Sequence, residues 1–497
     1  MFFKQKSNVL FRNYESFGYI TDNRNFGYKL TGNYENHIGD KILSESGAVF
    51  MSVLGRKPQT LDELVKKIKK QFTDVDIRTL KNDAREFYCM LEQDGFIVSG
   101  ETLHECDEKD TRFSYKILDP EIKNKNFSST IIHHEKSTPD FLEEYFKGKP
   151  QLTNLHIEII SRCNERCVHC YIPHDYKVSC IETDLFYDIL KQCKDIRLLH
   201  LTLSGGEPML HKNFCNFLRK CKEYDLSINV LSNLTLLNDE IIEEMKNPLL
   251  SVQVSLYSMN SHIHDEITHM KGSFKKTKNA ILTLIENDIP LQISCPIMKQ
   301  NKNCYNDVIK WAEKHKIHVG DDYGIIARYN HTTQNLSSRL SINEIKEVID
   351  DKVAKDSKYI EQIELEAEKK KNMKSSDFVC SVCHSSICIA DNGNVYPCAG
   401  WQDYIVGNIK ETSLIDIWDN SEKVQYLRGL RKQDFPICIQ CPDNEFCTMC
   451  MVRNANENPQ GDPLVVNEFF CDIAKLNRQI TLDSKGELLN HEGTKDL

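Results

Sequence analysis

The sequence predicts an α/β protein: a partial (β/α)6 barrel with an N-terminal winged-helix-like domain before it and a C-terminal cysteine-rich domain after it. Three observations predict this. Between residues 152 and 350, short β-rich apolar runs alternate with helical stretches six times, the pattern of a parallel sheet built from βα units. Residues 1–100 carry strand-like alternation, then three helical periods and a short closing strand. Cysteines cluster once near residue 165 and again after residue 378. The 497 residues give room for about three domains. We place them at 1–100, at 151–355 after a linker over 101–150, and at 356–497.

Taken in order, Asn8-Val9-Leu10-Phe11-Arg12 and Phe17-Gly18-Tyr19-Ile20 read as strands of a hairpin or meander. A helix follows over about 44–54. A second runs from Leu61 to Phe72 behind a cap at Thr60, with Glu63 three residues on. A third covers about 77–94, with Leu80, Ala84, Phe87, Tyr88 and Leu91 on one face. Gly95-Phe96-Ile97-Val98 closes the unit as a strand. The stretch 101–150 is charged and turn-rich, weakly helical near Phe141–Phe146, and reads as a linker. Barrel strands are expected near 154–160, 198–204, 226–232, 250–256, 290–296 and 319–327. Helices are expected at about 182–194, 211–224, 237–247, 274–287, 302–316 and 341–353. Six right-handed βα crossovers make about three quarters of a barrel, with a lateral opening suited to a peptide.

Composition narrows the function. The formal charge of −10 leaves no footprint for nucleic acid, although Lys66-Lys67-Ile68-Lys69-Lys70 is locally basic. No run of about eighteen apolar residues is present, so no membrane span is expected. Met-Phe-Phe-Lys-Gln-Lys lacks the apolar core of a signal peptide. Twenty cysteines in so long a chain point to metal rather than to a disulfide scaffold, and to the cytoplasm.

Cys163, Cys167 and Cys170 stand in a C-x3-C-x2-C spacing. Three thiolates so close grip three irons of a four-iron cluster and leave the fourth open; a zinc site short of one ligand is the alternative. The segment Ser161–Pro173 resembles the cluster motif of the radical S-adenosylmethionine (SAM) enzymes. That resemblance implies a [4Fe-4S] cluster whose free iron takes the amine and carboxylate of SAM, and cleavage of SAM to a 5′-deoxyadenosyl radical. The second strand ends in Ser204-Gly205-Gly206-Glu207-Pro208, where glycines let backbone approach a ligand closely. The resemblance places the methionyl amine there. It also implies cofactor contacts at His169, where the family carries an aromatic residue near adenine, at Asn233 after the third strand, and at Ser255 after the fourth. Lys271 reads equally as a carboxylate partner and a surface lysine, and Cys295 as core.

Downstream, Cys380, Cys383, Cys388 and Cys398 precede Cys438-x2-Cys441-x5-Cys447-x2-Cys450 and Cys471. Spacing alone permits four-cysteine zinc sites. The pattern resembles the SPASM-type cluster-binding extension of radical SAM peptide and protein maturases, although the last gap is two residues instead of the family's three. The resemblance implies two auxiliary [4Fe-4S] clusters, three clusters in all. One would sit on Cys380, Cys383, Cys398 and Cys450, with Cys388 a substitute for Cys383 or that position open. The other would sit on Cys438, Cys441, Cys447 and Cys471.

The strand-and-helix order of residues 1–100, with Phe17-Gly18-Tyr19 and Asp83-Ala84-Arg85-Glu86-Phe87, resembles the recognition domain of peptide-modifying enzymes. There the leader of a precursor peptide adds as a strand to a sheet edge. Together the resemblances imply a maturase of a ribosomally made peptide, of the thioether-forming (sactipeptide or ranthipeptide) kind, supplied with electrons by a donor such as flavodoxin or ferredoxin. Epimerisation, carbon–carbon cross-linking and sulfatase-type protein maturation are the enzymatic alternatives. A winged-helix regulator sensing iron or oxygen is the non-enzymatic one.

Overall fold

The structure, a computed structural model, describes residues 1–14, 16–23, 29–30, 39–110, 113–114, 146, 148–356, 358–371 and 374–492. The weak helical reading over Phe141–Phe146 falls almost wholly outside them.

Among the described residues, the N-terminal unit holds two three-stranded antiparallel sheets, a short antiparallel pairing of Lys29–Leu30 with Phe113–Ser114 and, up to residue 100, three helices. Phe2–Gln5 lies between Gln59–Thr60 and Ile97–Gly100; Leu10–Asn13, Gly18–Thr21 and Asp40–Leu43 form the second sheet in that order. Helices Glu45–Leu54, Leu61–Ile68 and Ile77–Gln93 each begin at a side-chain cap: Ser44, the Thr60/Glu63 capping box, and Asp76. Their apolar faces meet in one core containing Phe3, Leu54, Leu64, Tyr88, Leu91 and Phe96. Phe2–Gln5 is nearly buried along its whole length, so it lacks the alternation that would reveal it as a strand. The second helix stops at Ile68, four residues short of Phe72. The stretch expected to be linker opens instead with a helix, Leu103–Glu108. That helix is tied back by Lys4, whose ammonium reaches Asp107 at 2.7 Å and Asp110 at 2.9 Å.

Six parallel strands follow in sequential spatial order: Asn154–Ile160, His200–Gly205, Ser227–Ser232, Leu250–Ser255, Leu291–Ser294 and His318–Gly320. Helices Thr183–Asp195, Phe214–Glu223, Asp239–Met245, Ser273–Glu286, Tyr305–Lys314 and Ile342–Lys355 connect and cover them. The sixth strand ends at Gly320; Asp321-Asp322-Tyr323-Gly324, poor in β-formers, runs on outside the ladder. An unexpected helix, Ser261–Thr268, follows the fourth strand.

The sheet does not close. The free edge of the first strand takes Ser386–Ile389 in parallel register, and Asn394–Tyr396 and Gly407–Asn408 extend it antiparallel, making nine strands in all. The cysteine-rich domain thus continues the barrel sheet, and one core runs from Ile157 to Trp401 and Trp418. One strand face carries a polar row: His156 bonds Ser204, Ser251 donates to Asn229 at 3.1 Å, and Gln292 to Gln253 at 3.0 Å.

The N-terminal unit docks at the opposite end of the strands from the cysteine loop. Leu10, Phe17 and Tyr19 pack on Leu199 and Leu249. Arg12 donates to Leu198 O at 2.9 Å and Asp225 O at 2.7 Å, while Arg56 reaches the Asp225 carboxylate at 2.6 Å. Among the described residues, no helix is long and apolar enough to cross a membrane.

Candidate functional site

The first barrel strand delivers residues 161–180 to the C-terminal face of the sheet, where βα loops carry chemistry. Asp391 of the neighbouring hairpin accepts from Ser161 N at 2.9 Å and from the Ser179 hydroxyl at 2.8 Å, pinning both ends of the loop. The unexpected helix holds its middle: Arg166 N and Val168 N donate to Thr268 O and Ile267 O. Asn260 as a cap, with Ile263 and Ile267 at helical spacing, was the sequence signal for that helix. Cys163, Cys167 and Cys170 lie together in this loop, Cys170 N donating to Cys167 O at 3.2 Å. Burial pushes the Cys163 thiol up to about 11 and Cys167 well above its usual range. Such sulfurs stay protonated until a metal displaces the proton.

The glycines explain how the second strand meets this loop. Gly206 N donates to Ile160 O at 2.7 Å and Glu207 N to Arg162 O at 2.9 Å. Gly205 has φ +135°, and a Cβ there would lie 1.9 Å from Ile160 O; one on Gly206 would lie 2.2 Å from Arg162 O. No side chain fits either position. The Glu207 carboxylate accepts from Met209 N at 3.0 Å, the Ser232 hydroxyl at 2.8 Å and Asn233 N at 2.8 Å. It ties the second strand to the third, and burial still raises it to about 7. Pro208 opens a buried single turn. Asn233 donates to Asn164 at 3.0 Å and accepts from Thr235, so two residues missed in the sequence, Asn164 and Thr235, join it to the cysteine loop. Ser255 ends the fourth strand opposite Ser294. The His169 ring stands 5.1 Å from Tyr257, its pKa lowered to about 4 by burial. His169 Nδ1 and Glu165 Oε1 are buried with no hydrogen-bond partner among the described residues, an arrangement that fits an incoming ligand. Lys271 is exposed and Cys295 fully buried.

Glu158, also missed, sits below the loop on the first strand. It is 4 % exposed and accepts from the Tyr171 hydroxyl at 2.9 Å and from the Gln402 amide. Burial raises its carboxyl to about 7, against those two donors. A folded pKa above the unfolded 4.5 means that the stability is present below pH 4.5 and is lost as pH rises through 7. Glu158→Gln in the reconstituted protein is therefore expected to shrink the fall in Tm between pH 5 and pH 8, by an amount equivalent to at most about 3 kcal/mol. Parallel pH profiles for variant and parent would contradict this.

The C-terminal cysteines fall into two neighbourhoods. Burial pushes Cys380 up to about 11, and the thiols of Cys450 and Cys398 push it the same way. Cys383, at φ +60°, is pushed to about 12, with Cys380 and Cys398 nearby. Cys388 faces Glu158 and Cys398. Cys447, pushed to about 11, neighbours Cys471, Cys438 and Cys441. Cys438, Cys441, Cys447, Cys450 and Cys471 line one small pocket. Among the described residues no three His, Cys, Asp or Glu side chains converge on a single-ion site; these thiols stand around a pocket instead. All-sulfur donor sets of this kind suit iron–sulfur clusters.

Residues 157–312 match the radical SAM superfamily. The barrel is a radical SAM domain. Residues 380–442 match the SPASM iron–sulfur cluster-binding domain. The first domain calls for SAM and an iron–sulfur cluster and the second for iron–sulfur clusters, and the residues above fit those groups. The chain is 26 % identical over 321 residues to the antilisterial bacteriocin subtilosin biosynthesis protein AlbA of Bacillus subtilis, covering 62 % of this chain and 69 % of AlbA. It is equally similar, 26 % over 321 residues, to the AdoMet-dependent heme synthase of Methanosarcina barkeri, covering 60 % of this chain and 90 % of that protein. In fold it resembles Streptococcus suis SuiB bound to its precursor peptide SuiA, with a TM-score of 0.59 and 15 % identity over 94 % of this chain and all of SuiB.

Proposed function

We propose that this radical SAM enzyme matures a ribosomally made precursor peptide in the cytoplasm, joining cysteine sulfur to a carbon of the core peptide. The observation that carries the peptide reading is the N-terminal unit. Relatives as different as AlbA and a heme synthase share the barrel, so the barrel alone does not name a substrate. The likeness to SuiB extends over 94 % of the chain, the N-terminal unit included. In this reading the unit is winged-helix-like, and the leader adds to the outer side of Asp40–Leu43, which is bonded to Gly18–Thr21 on its inner side. The polar row inside the open sheet suits a polypeptide better than the branched apolar filling of a closed barrel.

Cys163, Cys167 and Cys170 hold the catalytic cluster. Gly205 and Gly206 bring backbone to the methionyl end of SAM, and His169, Pro208, Asn233 and Ser255 shape the rest of its site. Glu207 acts from behind, holding strands two and three in register. SAM, when bound and reduced, supplies a 5′-deoxyadenosyl radical able to take hydrogen from carbon. Cys380, Cys383, Cys398 and Cys450 form one auxiliary centre, and Cys438, Cys441, Cys447 and Cys471 the other. Forming C–S from C–H and S–H removes one hydrogen atom, one proton and one further electron. Two auxiliary centres favour such an oxidative outcome over epimerisation, which needs no net oxidation.

The test is mass spectrometry of the core peptide after turnover. A thioether lowers the mass by two hydrogens per bridge and protects a cysteine from alkylation. Unchanged mass with solvent deuterium incorporated would establish epimerisation. A mass loss with every cysteine still alkylated would establish carbon–carbon linkage.

A further inference from the structure

A cleft of about 420 Å³ lies between the loop that follows the sixth barrel strand and the C-terminal helix Glu468–Glu492. Asp321, Asp322 and Tyr323 line one side and Phe470 and Asn477 the other, with Arg453 beside them. The cleft adjoins the five-cysteine pocket, because Thr448, Arg453, Phe470 and Ala474 line both. Most of its charges are satisfied. Lys352 reaches the Asp321 carboxylate at 2.8 Å, and Asp322, exposed to water, accepts from Gly324 N at 2.8 Å. Arg453 is different. Its guanidinium lies over the Phe470 ring, 4.2 Å from the centroid, and no hydrogen bond or ion pair joins it to a described residue. Arg339, 6.0 Å from the same ring, shows the contrast: it stacks on Phe469 at 3.9 Å, and Glu457 takes its fork at 2.7 and 3.0 Å. At the cleft's rim, Lys370 donates to the Thr448 hydroxyl at 3.2 Å and to Cys447 O at 3.1 Å, and no described carboxylate pairs with it. Arg453 and Lys370 against Asp322 leave one positive charge over. On the far wall, Asn477 Oδ1 is buried with no hydrogen-bond partner among the described residues. A Cβ on Gly324 would lie 2.9 Å from the Arg453 guanidinium, so the glycine keeps that space open.

We propose that this cleft holds an acidic residue of the precursor peptide, its carboxylate paired with Arg453 and a backbone N–H of the same stretch donating to Asn477. The inference rests on the peptide reading of the function. Arginine presents a planar fork that meets a carboxylate with two parallel hydrogen bonds, and stacking on Phe470 fixes the plane of that fork. A buried amide oxygen without a donor is costly, so the ligand must bring an N–H as well as a negative charge. A polypeptide carrying Asp or Glu brings both, whereas an inorganic anion brings only the charge. The volume falls in the range of small-ligand sites, enough for one side chain and its flanking backbone. Because the cleft shares residues with the pocket of auxiliary cysteines, a chain held here runs beside that centre.

The experiment measures equilibrium binding of the precursor to the full-length, cluster-loaded protein, with the precursor's Asp and Glu residues replaced one at a time by Asn or Gln. R453Q is expected to bind the parent precursor at least about tenfold more weakly. One of the precursor variants should lose about the same factor on the parent protein and little further on R453Q, since both changes delete the same pair. G324A, whose Cβ displaces the guanidinium without changing any charge, should reproduce this coupling to the same precursor residue; it is the second variant, used if R453Q fails to hold iron or to fold. Unchanged precursor affinity in both protein variants, or losses that add to those of every acidic replacement, would overturn the proposal. R453Q protein that loses affinity for free glutamate but not for the precursor would give the cleft to a free amino acid and overturn it too. Parent protein that binds and modifies no precursor would overturn the peptide reading itself, a result distinct from a parent that binds and a variant that binds equally well.

Discussion

Replacing Cys163, Cys167 and Cys170 together by alanine is expected to abolish 5′-deoxyadenosine formation, a loss of several orders of magnitude, because no other group can supply the radical step. The protein should still fold and still carry iron. The loop is pinned at both ends by Asp391 and in its middle by Thr268 and Ile267, contacts that do not involve the three sulfurs. Cys438, Cys441, Cys447, Cys450 and Cys471 line a pocket of their own, which none of the three loop cysteines lines. Iron analysis should therefore fall by about one third if three four-iron clusters are present in the parent. A triple variant that still makes 5′-deoxyadenosine would remove the catalytic assignment.

Removing residues 1–110 is expected to weaken precursor binding at least about a hundredfold while leaving basal SAM cleavage measurable. The cut follows the structure: Leu103–Glu108 belongs to the N-terminal unit through Lys4, so a cut at 100 would leave part of that unit behind. The unit sits at the far end of the strands from the cysteine loop, held by Arg12, Arg56 and Asp225. A leader bound there must pass the height of the sheet before its core reaches the site. Strands of about six residues rise about 20 Å, so roughly six or more extended residues should separate the bound leader from the first modified position. Shortening that spacer should cost modification without costing affinity. Precursor affinity unchanged in the truncated protein would rule out leader recognition by this unit.

What could be read from the sequence was local. Cys163, Cys167 and Cys170 fall within eight residues after the first barrel strand, and Gly205-Gly206 stands at the end of the second, so their meeting at one end of the sheet could be anticipated from the order of the elements. The long, periodic barrel helices were legible for the same reason. The sixth strand was read too long because Ile325 and Ile326 extend the apolar pattern past the acidic break at Asp321-Asp322, where the ladder ends. Contacts between distant segments carried no such signal. Glu158 meets Gln402 across 244 residues, and Asp391 reaches Ser161 across 230. Glu207 was expected among the cofactor residues; its carboxylate is taken up by Ser232, Asn233 and Met209, a fact set by where two neighbouring strands end.

The most direct test of the account is a single anaerobic reaction containing the cluster-loaded protein, a strong reductant, SAM and the precursor peptide, with both small-molecule and peptide products followed by mass spectrometry. The account predicts 5′-deoxyadenosine together with a core peptide lighter by two hydrogens per bridge, both absent without SAM. S-adenosylhomocysteine in place of 5′-deoxyadenosine, or 5′-deoxyadenosine with a precursor unchanged in mass, alkylation and deuterium content, would contradict it.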